Sequence, residues 1–118
     1  MPDKPDPAWK GKELSIYTLA SGPQGPISGP FYFWRPYFEK LTGATYNIVE
    51  IPFGEMQAKI FTDLATGRGT YDIIVGPMFF MGDYIANNWI IPIDKYFSDP
   101  RMSKWDRDSI AEPIRKLL

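Results

Sequence analysis

The sequence predicts an α/β fold, a parallel βαβαβ sheet flanked by helices. Three observations carry this. Segments of alternating or continuous apolar residues recur at residues 14–20, 46–51 and 71–75. Patterns with helical spacing lie between and after them. The third apolar run stops at Gly76-Pro77, as a buried parallel strand does. Strands alternating with helices of ten or more residues indicate crossover connections, which are right-handed and give parallel sheets covered by helices.

The elements follow in order. Residues 1–12, MPDKPDPAWKGK, hold three Pro and five charges and are expected to be a flexible lead-in left by a removed signal or tag. The first strand is expected at Leu14 to Ala20, where Ile, Tyr and Thr favour extended backbone. Three Gly-Pro pairs between Ser21 and Pro30 predict an extended, exposed loop. Phe31, Trp34, Phe38 and Leu41 then form one helical stripe, closed by Thr42-Gly43. Pro36 either kinks that helix or marks its first turn, so its start lies anywhere from Pro30 to Arg35. Tyr46 to Ile51 is the second strand. Met56, Ile60 and Leu64 give a second helix ended by Gly67 and Gly69. Tyr71 to Val75 is expected to be a strand buried on both faces, followed by a helix from Phe79 to about Asn88. Ile90 to Asp94 leads away from the sheet, and Asp108 or Ser109 is expected to cap a short last helix through Pro113. The ending at Leu117-Leu118 is expected to be a truncation, leaving residues 13–118 as part of one lobe.

Composition narrows the chemistry. The 118 residues include no Cys and no His, so disulfides, thiolate nucleophiles, imidazole bases and His- or Cys-built metal sites are excluded for this chain. No cofactor and no enzymatic activity are expected. Thirteen Lys and Arg against fourteen Asp and Glu leave a net charge of -1, without the basic excess that nucleic acid or an anionic membrane demands. Hydrophobic content of 44% and aromatic content of 16% supply a core. No apolar run approaches the roughly 20 residues of a membrane span.

Ligands of open α/β sheets sit beyond the carboxyl ends of the strands. That rule selects Ser21 to Pro30, Pro52 to Glu55, and Gly76 to Met78. The first offers Ser21, Gln24, Ser28 and backbone amides, with Tyr32 and Trp34 behind, a mixture suited to a polyhydroxylated ligand. A Pro-rich surface loop beside core aromatics is the plainer reading. A phosphate cradle is disfavoured: the glycine spacing matches no phosphate motif, and Pro23, Pro26 and Pro30 remove three amide donors. Glu50, Glu55 and Asp72 are read as caps and solvated ends rather than as a glycosidase carboxylate pair. Met56, Met78 and Met81 are read as core filler.

The order and spacing of several phrases carry a resemblance. FEKLTG at residues 38–43, LATG at 64–67 with YDII at 71–74, and WIIPID at 89–94 together resemble the opening of the family 1 extracellular solute-binding proteins, receptors of bacterial ABC importers. Asn88 and Ile93 depart from the Gly and Leu common in that family. The resemblance implies a partial lobe of a type II periplasmic-binding-protein-like fold in a two-lobed periplasmic, extracellular or lipid-anchored receptor that closes on its solute by a hinge. It covers residues 13–97. Carried over by position, it implies Ser21, Gln24, Phe53, Glu55, Gly76, Pro77 and Met78 as cleft-facing residues. The expected partners are a small polar solute, carbohydrate first and oligopeptide or polyamine after it, and an ABC permease. The alternatives are a small autonomous α/β binding or signalling module, and a carboxylate-based glycosidase or lyase fragment. An isolated partial lobe is expected not to bind ligand alone, and to pair with a second copy or swap domains through exposed strand edges.

Overall fold

A computed structural model describes residues 7–97 and 111–115. Of these, residues 7–90 belong to one compact unit, and residues 91–97 and 111–115 belong to a second.

The first unit is an α/β fold. Its strands are β1 (Glu13–Leu19), β2 (Thr45–Ile51) and β3 (Ile73–Val75), and its helices are α1 (Gly29–Thr42), α2 (Phe53–Thr66) and α3 (Met81–Ala86). A 3-10 turn, Met78–Phe80, leads into α3. The strands form a three-stranded parallel sheet in the order β2-β1-β3. Glu13 pairs with Thr45 and Leu19 with Ile51, while Ile16 pairs with Ile73 and Thr18 with Val75. The chain steps from β1 to β2 on one side, then crosses back over β1 to β3. With right-handed crossovers, that reversal places α1 and α2 on opposite faces of the sheet.

Side-chain alternation agrees. Tyr17 packs with Ile51, and both join Met56 and Ile60 of α2 and Tyr84 of α3 in the buried cluster, bordered by Leu19, Val49 and Ile74. On the other face the Tyr46 ring meets Phe38 of α1 at 5.1 Å, and its hydroxyl donates to the Phe31 carbonyl. The helices end where expected. Gly43 takes the left-handed conformation at φ 73° and returns its amide to Glu39 O, and Gly67 does the same at φ 61° after α2.

Several local expectations are corrected. Trp34 and Leu41 do not lie on the sheet-facing stripe of α1: Trp34 is 58% exposed and Leu41 is also exposed. Phe31, Arg35, Phe38 and Thr42 are half-buried instead, a rotation of about one residue that periodicity in an aromatic-rich helix does not resolve. Pro36 lies inside α1, which begins at Gly29 with a Pro in its first turn. The Ser21–Pro30 segment is not an extended exposed loop, since Ser28 and Gly29 are buried. β3 is shorter than expected and not buried on both faces, with Ile73 43% exposed. Asp72 precedes it and bonds to β1, with Ser15 N donating to Asp72 Oδ2 at 2.8 Å and Asp72 N donating to Ser15 Oγ at 3.1 Å. Met56 is fully buried, whereas Met78 and Met81 are exposed because they sit in the 3-10 turn and first turn of α3 rather than beneath the sheet.

Residues 7–9 form a 3-10 turn, Pro7–Trp9. Gly11 N donates to Gly43 O and Thr45 N to Lys12 O, joining the approach to β1 with the start of β2. In the second unit, Asp94–Phe97 is helical (α4), as is Glu112–Arg115 (α5). The expected cap at Asp108 or Ser109 lies outside the described residues.

Candidate functional site

Strand order reverses beside β1, so the carboxyl edge of the sheet is where a ligand crevice is expected. Three segments leave that edge: the loop after β1, the start of α2 after β2, and Gly76-Pro77 with the following 3-10 turn after β3.

The first loop is built around two serines and a carboxylate. Glu50 stands one residue before the end of β2 and pairs in register with Thr18. Its Oε1 accepts the amides of Ser21 at 3.0 Å and Gly22 at 2.8 Å and also the Ser28 hydroxyl, while Oε2 accepts the Tyr32 hydroxyl at 3.1 Å. These donors, the Ser28 hydroxyl first and the two amides next, hold its pKa at about 2, well below the ordinary 4.5. Ser21 Oγ lies 2.8 Å from Ser28 Oγ and accepts the amides of Ile27 at 3.2 Å and Ser28 at 2.9 Å. Because the Ser28 proton serves Glu50, Ser21 is the donor between the two hydroxyls. Gly25 completes the turn, as a Cβ there would fall 2.0 Å from the Ser21 carbonyl oxygen. Ser21 is therefore engaged within its own loop, and Gln24 projects at an exposed position. A loop with polar groups paired internally holds one shape, which suits a preorganised surface.

The other two segments present apolar surface. Phe53 opens α2 and is 59% exposed, and Phe79 is 67% exposed. Their rings meet edge to face at 6.1 Å. Met78 is exposed beside Phe79 in the chain, Gly76 is exposed and Pro77 half-buried. Glu55 lies in the first turn of α2 and pairs with Lys59 at 2.7 Å across an exposed helix face. Such a pair adds little stability.

Two buried hydroxyls lack hydrogen-bond partners among the described residues, Thr18 Oγ1 and Tyr84 Oη. Thr18 is the penultimate residue of β1. Tyr84 lies in α3 beneath the Gly76 segment, with its oxygen 3.6 Å from where a Cβ at residue 76 would stand. Among the described residues no group of three or more acidic side chains gathers as cation ligands.

Sequence reasoning named one or more residues in each of the three segments. It weighed Glu50 only as an acid or a cap and did not select Phe79 for the site. The signal for Glu50 was present, as an acidic residue at a strand end opposite a Gly-rich loop with free amides.

No curated protein and no solved structure matches the chain. The model of the family described as bacterial extracellular solute-binding protein matches residues 24–114, well over half of the sequence. That span includes α1, all of β2 and β3 and the two carboxyl-edge segments that follow them. Among the described residues no helix is long and apolar enough to cross a membrane. That match, over residues 24–114, shows that this chain belongs to the bacterial extracellular solute-binding proteins, and the parallel α/β sheet agrees with it.

Proposed function

We propose that the chain captures an uncharged, polyhydroxylated solute, a carbohydrate, outside the cytoplasmic membrane and presents it to an ABC permease. The observation that carries the solute class is the exposed Phe53–Phe79 pair at the carboxyl edge. Aromatic faces cover the apolar faces of sugar rings, while nearby polar groups pair with hydroxyls. Residues 13–90 supply one wall of the cleft in this reading, and the opposing wall comes from a second lobe. The cleft-facing set is Phe53, Gly76, Pro77, Met78 and Gln24. Ser21 acts through the shape of its loop, and Glu55 lies at the rim.

A glycosidase reading is weaker on chemistry. A general acid needs a raised pKa, and Glu50 is held at about 2 by four hydrogen bonds. β2 and β3 are the outer strands of the described sheet. Pairing of two copies along such an edge is the accompanying proposal, tested by light scattering, where a concentration-independent monomer overturns it.

Calorimetry of the full-length protein with glucose, galactose, maltose, lactose, triglycine and putrescine tests the solute class. Saturable binding confined to one or more sugars supports it. Binding of triglycine or putrescine with no response to the sugars overturns it.

A further inference from the structure

α1 reverses the usual arrangement of a surface helix, in which charged and polar residues face water. Its exposed side chains are two prolines, Phe33, Trp34, Tyr37, Leu41 and one cation, Lys40, with no acid among them. Phe33, Trp34 and Tyr37 are 59%, 58% and 50% exposed. Their rings contact one another, Phe33 to Trp34 at 5.1 Å and Trp34 to Tyr37 at 5.4 Å between centroids. The sheet-facing side of the helix is the opposite one, where Phe38 meets Tyr46. Three joined aromatic rings on the outer side form a continuous apolar patch, and such a patch marks an interaction surface where single exposed residues do not.

Charge indicates what covers it. The whole-chain net charge of -1 is an average and hides a local excess. Lys40 lies in the last turn of α1. Lys10 packs against the end of the same helix, its Cα 3.4 Å from where a Cβ at Gly43 would stand, and Gly11 N donates to Gly43 O at 2.8 Å. Trp9, Lys10 and Lys12 are all exposed there. Nearby Glu39 is neutralised by Arg35 at 3.1 Å, and Glu13 accepts a hydrogen bond from Asn47 Nδ2 on the adjoining strand. Lys10, Lys12 and Lys40 have no ion pair among the described residues.

We propose that the outer face of α1, with Trp9 and the three lysines at its C-terminal end, docks the protein on an anionic phospholipid surface. Trp and Tyr rings, apolar with one polar edge, settle at the level of the headgroups. Phe33 and Leu41 add apolar area for the acyl boundary. The lysines meet the anionic headgroups, each strengthening binding roughly fivefold. A protein partner would need a groove matched to this helix, and a bilayer needs none. The basic end lies at the amino ends of β1 and β2, so docking leaves the carboxyl edge of the sheet open to solute. The inference is independent of the solute class.

The test sediments the full-length protein with vesicles of phosphatidylcholine alone and of an equal mixture of phosphatidylcholine and phosphatidylglycerol. The parent is compared with a variant carrying Phe33→Ser, Trp34→Ser and Tyr37→Ser and with one carrying Lys10→Gln, Lys12→Gln and Lys40→Gln. Circular dichroism checks each fold, and Trp34→Ser alone replaces the triple aromatic variant if that one does not fold. Expected is binding to the mixed vesicles at least tenfold tighter than to phosphatidylcholine, with a loss of roughly hundredfold in the lysine variant and roughly tenfold or more in the aromatic variant. No binding to the mixed vesicles, equal binding to both vesicle types, or parental affinity in either variant overturns the inference. So does a dimer in light scattering that the aromatic substitutions dissolve while vesicles do not bind, which assigns the face to a second copy.

Discussion

Glu50 accepts a hydrogen bond from the hydroxyl of Ser28, so a residue at the end of β2 fixes the far end of the loop that leaves β1. The same carboxylate oxygen receives the amides of Ser21 and Gly22 at the near end. One side chain therefore determines the shape of a whole loop at the ligand-binding edge.

Glu50→Gln preserves size but replaces one acceptor oxygen by a donor and removes the charge. Amide exchange at Ser21 and Gly22 should quicken on the order of tenfold, because charge-assisted bonds are the stronger class. Exchange at Met56 and Ile60 in the buried core should change far less. Hydrogen exchange read residue by residue checks this, and uniform acceleration across the chain would show general destabilisation instead.

Acid should act on the same group. The folded pKa of Glu50 is about 2 against an ordinary 4.5, so its stabilising contribution is complete above about pH 4.5 and is lost as pH falls toward 2. Glu39 is also lowered, by its bonds from Thr45 first and Arg35 next, and shifts stability in the same direction. Tm measured from pH 6 to pH 2 should fall across the lower part of that range, and the fall should be shallower in Glu50→Gln.

Gly25→Ala brings a methyl group against the Ser21 carbonyl oxygen, 2.0 Å from the ideal Cβ. The turn must shift, separating Ser21 Oγ from the amides it accepts. Expected is a destabilisation of about 1–3 kcal/mol by chemical denaturation. A neutral result would show that the loop relaxes without cost.

Ile60→Ala probes the core beneath the site. Ile60 has no exposed surface and packs with Tyr17, Met56 and Tyr84. Its truncation should lower unfolding free energy by about 2–5 kcal/mol, read from denaturant midpoints at constant slope.

Phe53→Ala should separate binding from stability. The ring is 59% exposed and touches Phe79 at the surface. Stability should change by no more than about 0.5 kcal/mol, while affinity for a bound sugar should fall roughly tenfold. Equal affinity in calorimetry would remove Phe53 from the cleft.

Local sequence was informative wherever a residue type has one dominant physical use. Gly43 and Gly67 stop helices because they take the left-handed conformation at φ 73° and 61°. Met56 and Ile60, one helical turn apart, are both fully buried. It was misleading where residue types have several uses. In α1 the aromatic residues Phe33, Trp34 and Tyr37 contact one another on the exposed face, with Phe33 to Trp34 centroids 5.1 Å apart, so hydrophobic spacing did not locate the buried stripe. Three Gly-Pro pairs suggested an extended loop, but Ser21, Ser28 and Glu50 draw that segment into a compact turn whose bonds span residues 21–50.

By itself the sequence determined the α/β class, the alternation of strands and helices, the helix stops and the three loops that carry the candidate site. Those features depend on periodicity and on the backbone preferences of Gly and Pro, which act over a few residues. The tertiary structure decided the order β2-β1-β3 and the Glu50 bonds that hold the first loop. Each of these joins residues far apart in the chain, and such contacts follow from which strands pair and which faces are covered.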